Sequence, residues 1–106
     1  MTHKTAISEA FVDKIIDSGL PFEDLYATLI HARCHGSCDG TTQTVEIHNS
    51  NWFLIYAVHS KLLVLLDLVE SETVAKIKAL FMVSTLDAQG LPHTEIRILK
   101  TIRGIQ

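Results

Sequence analysis

The middle of the chain reads Trp52-Phe-Leu-Ile-Tyr-Ala-Val-His-Ser-Lys-Leu-Leu-Val-Leu-Leu-Asp-Leu-Val69. Two apolar runs of strand length, Trp52 to His59 and Leu62 to Val69, are separated here by a short connection. Nearly continuous apolar runs of this length are typical of strands that are buried on both faces. The stretch therefore predicts two central antiparallel strands, around which the rest of the domain packs.

A third strand is predicted immediately before this pair. Polar and apolar residues alternate from Thr42 to His48, as in a strand with one packed face. The segment Asn49 to Asn51 consists of turn-forming residues and would connect this strand to the next as a hairpin. The three strands are therefore expected to form an antiparallel meander.

Helical spacing is found on both sides of the meander. Ser8 is a suitable N-cap for a first helix over residues 8–18, and Gly19 is a suitable end for it. A second helix begins after Pro21, and a third runs from the Ser71 cap to about Leu86. The apolar stripe expected to pack the second helix consists of Phe22, Leu25, Tyr26, Leu29 and Ile30.

The last part of the sequence predicts one more strand. Asp87 to Gly90 interrupts the helical pattern, and apolar and charged residues alternate from Thr94 to Ile98. The predicted order is α-α-β-β-β-α-β. We expect one α+β domain over residues 1–106, with an antiparallel sheet packed by helices.

Composition limits the function classes. The 106 residues are 47% hydrophobic and carry a net charge of −3, which disfavours unaided capture of nucleic acid. The apolar runs are too short to span a bilayer, and the first residues lack the apolar core of a secretory signal. Two cysteines suit a reducing compartment. We therefore expect a cytoplasmic protein, and the high hydrophobic content of so short a chain favours a homodimer.

One face of the meander is the predicted binding surface. Pairing around the Asn49 to Asn51 loop would place His48 opposite Trp52 and Glu46 opposite Leu54. The side packed on helices would then carry Val45, Ile47, Phe53 and Ile55. The other side would stay open to a protein partner or a small ligand, because Trp and Tyr are enriched in recognition hot spots. The predicted binding residues on it are Glu46, His48, Trp52 and Tyr56.

Two alternatives stay open for this face. The first is that Trp52 and Tyr56 lie in a second layer or in a dimer interface, with their N–H and O–H groups satisfied. The second is that Glu46 and His48 act as an acid/base pair. No nucleophile, glycine-rich phosphate loop or other common catalytic motif accompanies them, so we expect no catalytic residues and no cofactor.

Four potential metal ligands lie near the end of the predicted second helix, with the spacing i, i+3, i+4 and i+7. They are His31, Cys34, His35 and Cys38. Thiolate and imidazole groups are zinc ligands, and this spacing places the four on one helical face away from the apolar stripe. Gly36 would end the helix before the fourth ligand, and no second ligand pair follows. An exposed polar helix end with two reduced cysteines is the favoured interpretation, and a metal site is the alternative.

Two stretches resemble known families. Two helices before a three-stranded meander and a further helix, over roughly residues 8 to 85, are similar to the fold of RelE/ParE/HigB-type toxins, which implies a ribonuclease-like activity on messenger RNA. At the strand positions of the family's functional side chains, this chain has Leu54, Tyr56 and Val58.

The second resemblance lies near the C-terminus. Val83-Ser-Thr-Leu-Asp-Ala-Gln-Gly-Leu-Pro-His93, followed by Ile96-Arg-Ile-Leu-Lys100, resembles the opening hairpin of the pyridoxamine-phosphate-oxidase-like FMN-binding split barrel. This resemblance implies that Val83 to Thr85 is a strand. It also implies that Arg97 or Lys100 helps to hold the flavin phosphate.

These observations favour a small binding module of accessory, antitoxin or immunity type, acting through the open sheet face without chemistry of its own. The alternatives are a divergent RelE-type ribonuclease-like protein and an FMN-binding or metal-binding protein.

Overall fold

The computed structural model of the chain describes residues 4–35 and 38–96. It confirms the α+β class and the order of two helices, three strands, a helix and a further strand, and it adds two strands that the sequence pattern does not predict. The longest helix of the described residues has 14 residues, and none of these helices has the length and hydropathy of a bilayer-crossing segment. The elements are β1 (Lys4–Ala6), α1 (Glu9–Ser18), α2 (Phe22–His35), β2 (Gln43–Glu46), β3 (Phe53–His59), β4 (Leu62–Val69), α3 (Glu72–Phe81), β5 (Met82–Leu86) and β6 (Pro92–Ile96).

The predicted caps of α1 and α3 are present. Ser8 Oγ accepts a hydrogen bond from Phe11 N at 3.1 Å, and Ser71 Oγ accepts one from Val74 N at 3.3 Å. Gly19 ends α1 in the left-handed conformation with a φ of 70°, which glycine adopts without steric cost. The predicted extent of the first helix is therefore confirmed.

The third helix is shorter than predicted. It ends at Phe81, and residues Met82–Leu86, which the prediction places in the helix, form β5 and pair antiparallel with β6. Asp87 holds the connecting turn, because its Oδ1 accepts hydrogen bonds from Gln89 N at 2.8 Å and Leu91 N at 2.9 Å. Pairing with β6 and the β-branched residues of this segment favour a strand over the helical spacing.

Four strands form one mixed sheet in the order β1-β4-β3-β2. The antiparallel meander of β2, β3 and β4 is confirmed, and β1 lies parallel to β4. The expectation of a wholly antiparallel sheet is thus corrected at one edge, where β1 is too short to be recognised by alternation. β5 and β6 form a separate two-stranded sheet, and β2 is an edge strand.

The register between β2 and β3 differs from the prediction by one residue. Glu46 lies opposite Phe53 instead of Leu54, and Ile47 N donates to Trp52 O at 2.8 Å, so Ile47 and not His48 pairs with Trp52. A slip of one residue transfers side chains to the other face of a sheet. The predicted division of this hairpin into packed and open sides is therefore wrong.

The turn explains the slip. Ser50 N and Ser50 Oγ both donate to Ile47 O, at 3.2 and 3.0 Å. Ser50 Oγ also accepts a hydrogen bond from Trp52 N at 3.1 Å. These bonds close a loop over residues 48–51, one residue longer than the predicted loop.

Helices cover both faces of the sheet. One face carries Leu54, Tyr56 and Val58, which share a core with Phe11 of α1 and Leu25 of α2. α3 contacts β2, β3 and β4 and covers the opposite face. By strand alternation that face carries the buried residues Ile55, Ala57 and Val64. The prediction of one open sheet face is therefore wrong.

α2 packs with only part of its predicted stripe. Leu25 is buried and Leu29 is half-buried, and the remaining buried positions of the helix are Thr28 and Ala32. The other members of the stripe are exposed, at 74% for Phe22, 52% for Tyr26 and 42% for Ile30. The apolar surface of α2 is thus wider than the sheet covers.

Candidate functional site

The outer edge of β2 presents backbone groups that the sheet does not pair. In an antiparallel ladder, alternate residues exchange hydrogen bonds with the neighbouring strand, and the residues between them point their N–H and C=O groups away from it. Ile47 N donates to Trp52 O. By alternation, the backbone N–H and C=O groups of Val45 therefore point toward β3, and those of Thr44 and Glu46 point outward. Within residues 4–35 and 38–96, nothing hydrogen-bonds to these outward backbone groups.

A groove of about 340 Å³ lies beside this edge. α2 forms one wall, and β2 with the turn after it forms the other. We call it the β2–α2 groove. Its lining residues are Thr28, His31, Val45, Glu46, His48 and Asn49. All except Thr28 and Val45 are exposed, so the groove opens to solvent. Its volume lies near the lower end of the range for ligand-binding clefts.

Thr28 fixes the two walls of the β2–α2 groove to each other. Its buried hydroxyl accepts a hydrogen bond from His48 N at 2.9 Å and donates one to Asp24 O at 2.8 Å. Asn49 Nδ2 donates to Asp24 Oδ1 at 3.4 Å. The amide of His48 points outward, like those of Thr44 and Glu46. α2 therefore binds one of the three outward amides and leaves the other two unpaired.

Replacing Thr28 with valine is expected to lower the free energy of unfolding by about 1.5 kcal/mol, because the amide of His48 would lose its partner at a partly buried position. Valine keeps the shape and branching of threonine. The matched control is Thr73→Val, on an exposed turn of α3, with an expected change below about 0.5 kcal/mol. Urea unfolding followed by circular dichroism measures both, and equal losses would show that the Thr28 hydroxyl does not anchor the groove.

The structure divides the predicted binding residues between two surfaces. Glu46 and His48 are exposed and line the β2–α2 groove. Trp52 is half-buried and Tyr56 is 4% exposed, on the face covered by α1 and α2. Tyr56 OH donates to Gln43 Oε1 at 3.4 Å, and burial raises the pKa of Tyr56 above its ordinary value of 10.0. Ligand binding by Glu46 and His48 stays a prediction, now attached to the groove.

The predicted metal ligands are only partly described. His31 is exposed in the β2–α2 groove, and Cys38 is exposed beyond the end of α2. The side chains of Cys34 and His35 lie outside the described residues. Among the side chains that are described, no three of His, Cys, Asp or Glu lie close enough together to hold a metal ion. The four-ligand site stays a prediction.

A second polar cluster is formed by His59 and Ser84. His59 Nε2 lies 2.8 Å from Ser84 Oγ, the spacing of a nucleophile and its base. Ser84, however, is only 5% exposed, so its hydroxyl does not face a cleft that a substrate could enter. The contact joins the end of β3 to β5, and we assign it a structural role.

The residues of the two family resemblances lie in different environments. Leu54, Tyr56 and Val58 are buried in the core, and Val83 to Thr85 is part of strand β5. The candidate phosphate-binding residues Arg97 and Lys100 lie outside the described residues. The ribonuclease and flavin hypotheses stay predictions.

Comparison of the chain with protein-family models, with curated proteins and with solved structures finds no match.

Four residues of the site are missing from the predicted binding residues: Thr28, Thr44, Val45 and Asn49. A single hydroxyl among the apolar positions of α2 is a visible signal for Thr28, since a buried threonine needs a hydrogen-bond partner. No comparable signal marks Thr44, because a sequence does not reveal which strand lies at the edge of its sheet.

Proposed function

We propose that this chain is a polypeptide-binding module that takes an extended segment of a partner protein onto the outer edge of β2 as an additional strand. The observation that carries the proposal is the pair of unpaired residues, Thr44 and Glu46, beside the preformed β2–α2 groove. Together they offer two backbone donors and two acceptors. Strand addition of this kind obtains its affinity from main-chain hydrogen bonds.

The proposal keeps the binding-module prediction and moves the binding surface from the sheet face to the sheet edge. Both faces are covered by helices, whereas the outer side of β2 has no strand partner in the described part of the chain. His48 N is held by Thr28, so the end of the edge is fixed before a partner arrives. A preformed site loses less entropy on binding than a site that must first be ordered.

The groove residues define the expected partner chemistry. Alternate side chains of an added strand would face α2 and the turn, where His48 and Asn49 present a ring and an amide nitrogen. A carboxylate or amide side chain is expected at that position of the segment, and a small apolar side chain is expected over Val45. Glu46 places a charge on the edge, a feature that opposes uncontrolled pairing between copies.

The first test uses octapeptides selected from a phage-displayed random library on the full chain, with the best sequence synthesised as the probe. We expect micromolar binding, and we expect hydrogen exchange measured by NMR to slow at the Thr44 and Glu46 amides. The Val45 amide already points into the ladder and should change little. Failure to select any peptide, or protection confined to other strands, would contradict the proposal.

The second test removes one outward donor. Glu46→Pro lacks the amide that points away from β3, and proline is tolerated on an edge where its missing N–H faces solvent. We expect at least a tenfold loss of peptide affinity, against less than threefold for Glu46→Gln. If the proline variant is misfolded by circular dichroism, N-methylation along the peptide replaces it. Strand addition requires the loss of affinity to alternate along the peptide, and a uniform effect would exclude it.

A further inference from the structure

A row of exposed apolar side chains runs along the outer side of α2. Phe22, Tyr26 and Ile30 recur every four residues, so they lie one above another on the helix. They are 74%, 52% and 42% exposed. The rings of Phe22 and Tyr26 are stacked, with centroids 5.9 Å apart and planes 20° apart. We call this row the α2 ridge.

The α2 ridge points away from the proposed peptide site. At 100° per residue, its centre lies roughly 170° around the helix from Thr28 and His31, which line the β2–α2 groove. The third side of the helix carries the buried residues Leu25 and Ala32. α2 thus presents one side to the sheet, one to the groove and one to solvent.

We infer that the α2 ridge is the contact surface of a homodimer, in which a second copy of the chain packs its own α2 against it in the antiparallel direction. A stable dimer buries about 800 Å² on each partner, of which somewhat more than half is apolar. The three ridge side chains expose roughly 300 Å² of largely apolar surface, at about 200 Å² for a whole large side chain. That is about two thirds of the apolar area of such an interface, and the side chains that flank the ridge on α2 would supply the remainder.

The antiparallel direction follows from the shape of the ridge. Tyr26 is its midpoint, so a two-fold axis there places each Tyr26 against its counterpart. Phe22 at one end then lies against Ile30 of the second copy, a large ring against a smaller side chain. A parallel pair would instead set the two protruding Phe22 rings against each other. Antiparallel helices also align their dipoles favourably, and a two-fold axis makes the interface self-complementary.

Dimerisation through the α2 ridge leaves both β2–α2 grooves open. If the proposed function holds, on which this one consequence rests, the dimer carries two peptide sites and binds a partner with two such segments by avidity. The dimer itself depends only on the ridge. A monomeric chain that binds peptides would overturn the dimer alone, and a dimer that binds no peptide would overturn the proposed function alone.

Sedimentation equilibrium of the full chain at about 50 µM tests the inference. We expect twice the chain mass for the wild type and the single-chain mass for Phe22→Ser combined with Tyr26→Ser. The matched control is Ile77→Ser combined with Leu80→Ser, since these α3 side chains are 51% and 70% exposed; that variant should remain dimeric. A wild type of single-chain mass, or a dimer that only the α3 variant disrupts, would overturn the inference. Circular dichroism establishes that each variant is folded.

Disulfide trapping tests the direction in a Cys34→Ser, Cys38→Ser background. Tyr26→Cys is expected to form an intermolecular disulfide under mild oxidation, because the two-fold axis brings the two positions together. Phe22→Cys is expected not to, since its counterpart lies about 12 Å along the helix at the level of Ile30. Efficient trapping at position 22 would show a parallel pair, and no trapping at either position would place the interface elsewhere.

Discussion

Replacing Gly40 with alanine is expected to lower the free energy of unfolding by about 3 kcal/mol. Gly40 has a φ of 83°, and a Cβ added there would lie 2.4 Å from His59 Cε1 and 2.9 Å from Nδ1. Neither the Gly40 backbone nor the His59 ring can move easily. Gly40 N donates to Val58 O at 2.9 Å, and the His59 ring is held by Ser84 Oγ. If the ring moves away, it leaves the buried Ser84 hydroxyl without a partner.

Two control variants separate the cost of the contact with the His59 ring from the cost of a positive φ. Gly19 and Gly90 also have positive φ, at 70° and 79°, and an added Cβ would meet nothing within 4 Å. Gly19→Ala and Gly90→Ala should each cost about 1 kcal/mol, the strain of a left-handed alanine. Urea unfolding followed by Trp52 fluorescence compares the three variants. Equal losses would show that the His59 ring is not fixed against Gly40.

A double-mutant cycle gives an independent measurement of the same contact. In a His59→Ala background the ring is absent, so the added cost of Gly40→Ala should fall toward that of the two control glycines. Residues in contact show coupling energies of about 0.5–3 kcal/mol. Strictly additive losses in the cycle would contradict the packing of His59 between Gly40 and Ser84.

The parts of the fold that were predictable depend on local chemistry. Ser8, Gly19 and Ser71 end helices through bonds made within a few residues, and the apolar runs of β3 and β4 need a covered position whatever the rest of the chain does. The end of α3 was less predictable, because Met82–Leu86 fits a helical spacing but pairs with β6, six to fourteen residues later. Pairing with that strand decides the conformation of the segment, and the helical spacing does not reveal it.

The candidate site was only half predictable, for a different reason. The sequence marks Glu46 and His48 as polar positions near a hairpin, and both line the β2–α2 groove. It does not reveal the role of Ser50, which lengthens the turn by one residue and moves Trp52 and Tyr56 to the face beneath α1 and α2. Register is set by side-chain hydrogen bonds in the turn, and a one-residue error reverses the faces of the hairpin.

The exposure of the α2 ridge could not be predicted from the spacing of its residues. Amphipathic spacing identifies apolar positions on α2, but it does not say how many of them a neighbouring element covers. Leu25 is buried by the sheet, whereas Phe22, Tyr26 and Ile30, from the same predicted stripe, are exposed. An exposed apolar row on a helix is informative because the largest apolar patch on a protein surface is often functional.

Replacing Asp67 with asparagine is expected to cost about 2 kcal/mol at neutral pH. The Asp67 side chain is 12% exposed, and its two oxygens are bound by Lys14 of α1 and by Lys78 of α3, the latter at 3.0 Å. Leu68 N also donates to it, at 2.8 Å. Asp67 thus ties one helix from each layer to β4. Asparagine keeps the volume but removes the charge that holds both ammonium groups.

The stability that Asp67→Asn loses should be smaller at low pH than at neutral pH. Burial alone would raise the pKa of Asp67, but the hydrogen bonds from Lys14, Lys78 and Leu68, together with the charge of Lys14, hold it below its ordinary value of 3.8. In the unfolded chain the carboxylate takes up a proton near that ordinary value, and in the folded chain it does so only at lower pH. Its stabilising contribution is therefore complete above the ordinary value and decreases as the pH falls through the lowered pKa.

Urea unfolding of wild type and Asp67→Asn across this pH range measures the effect as a difference between two curves. That difference should be constant from about pH 7 to pH 5 and should shrink below the ordinary carboxyl pKa.

Glu72→Gln is the matched control, because its pair with Lys76 is exposed and 3.6 Å long. Exposed pairs of this kind contribute less than about 1 kcal/mol. Both lysines are nearly half exposed and can turn into water when the charge is lost, which keeps the expected cost below that of a fully buried ion pair. A difference that stays constant down to about pH 2.5 would mean that Asp67 is protonated equally in both states and that the two lysines do not act on it.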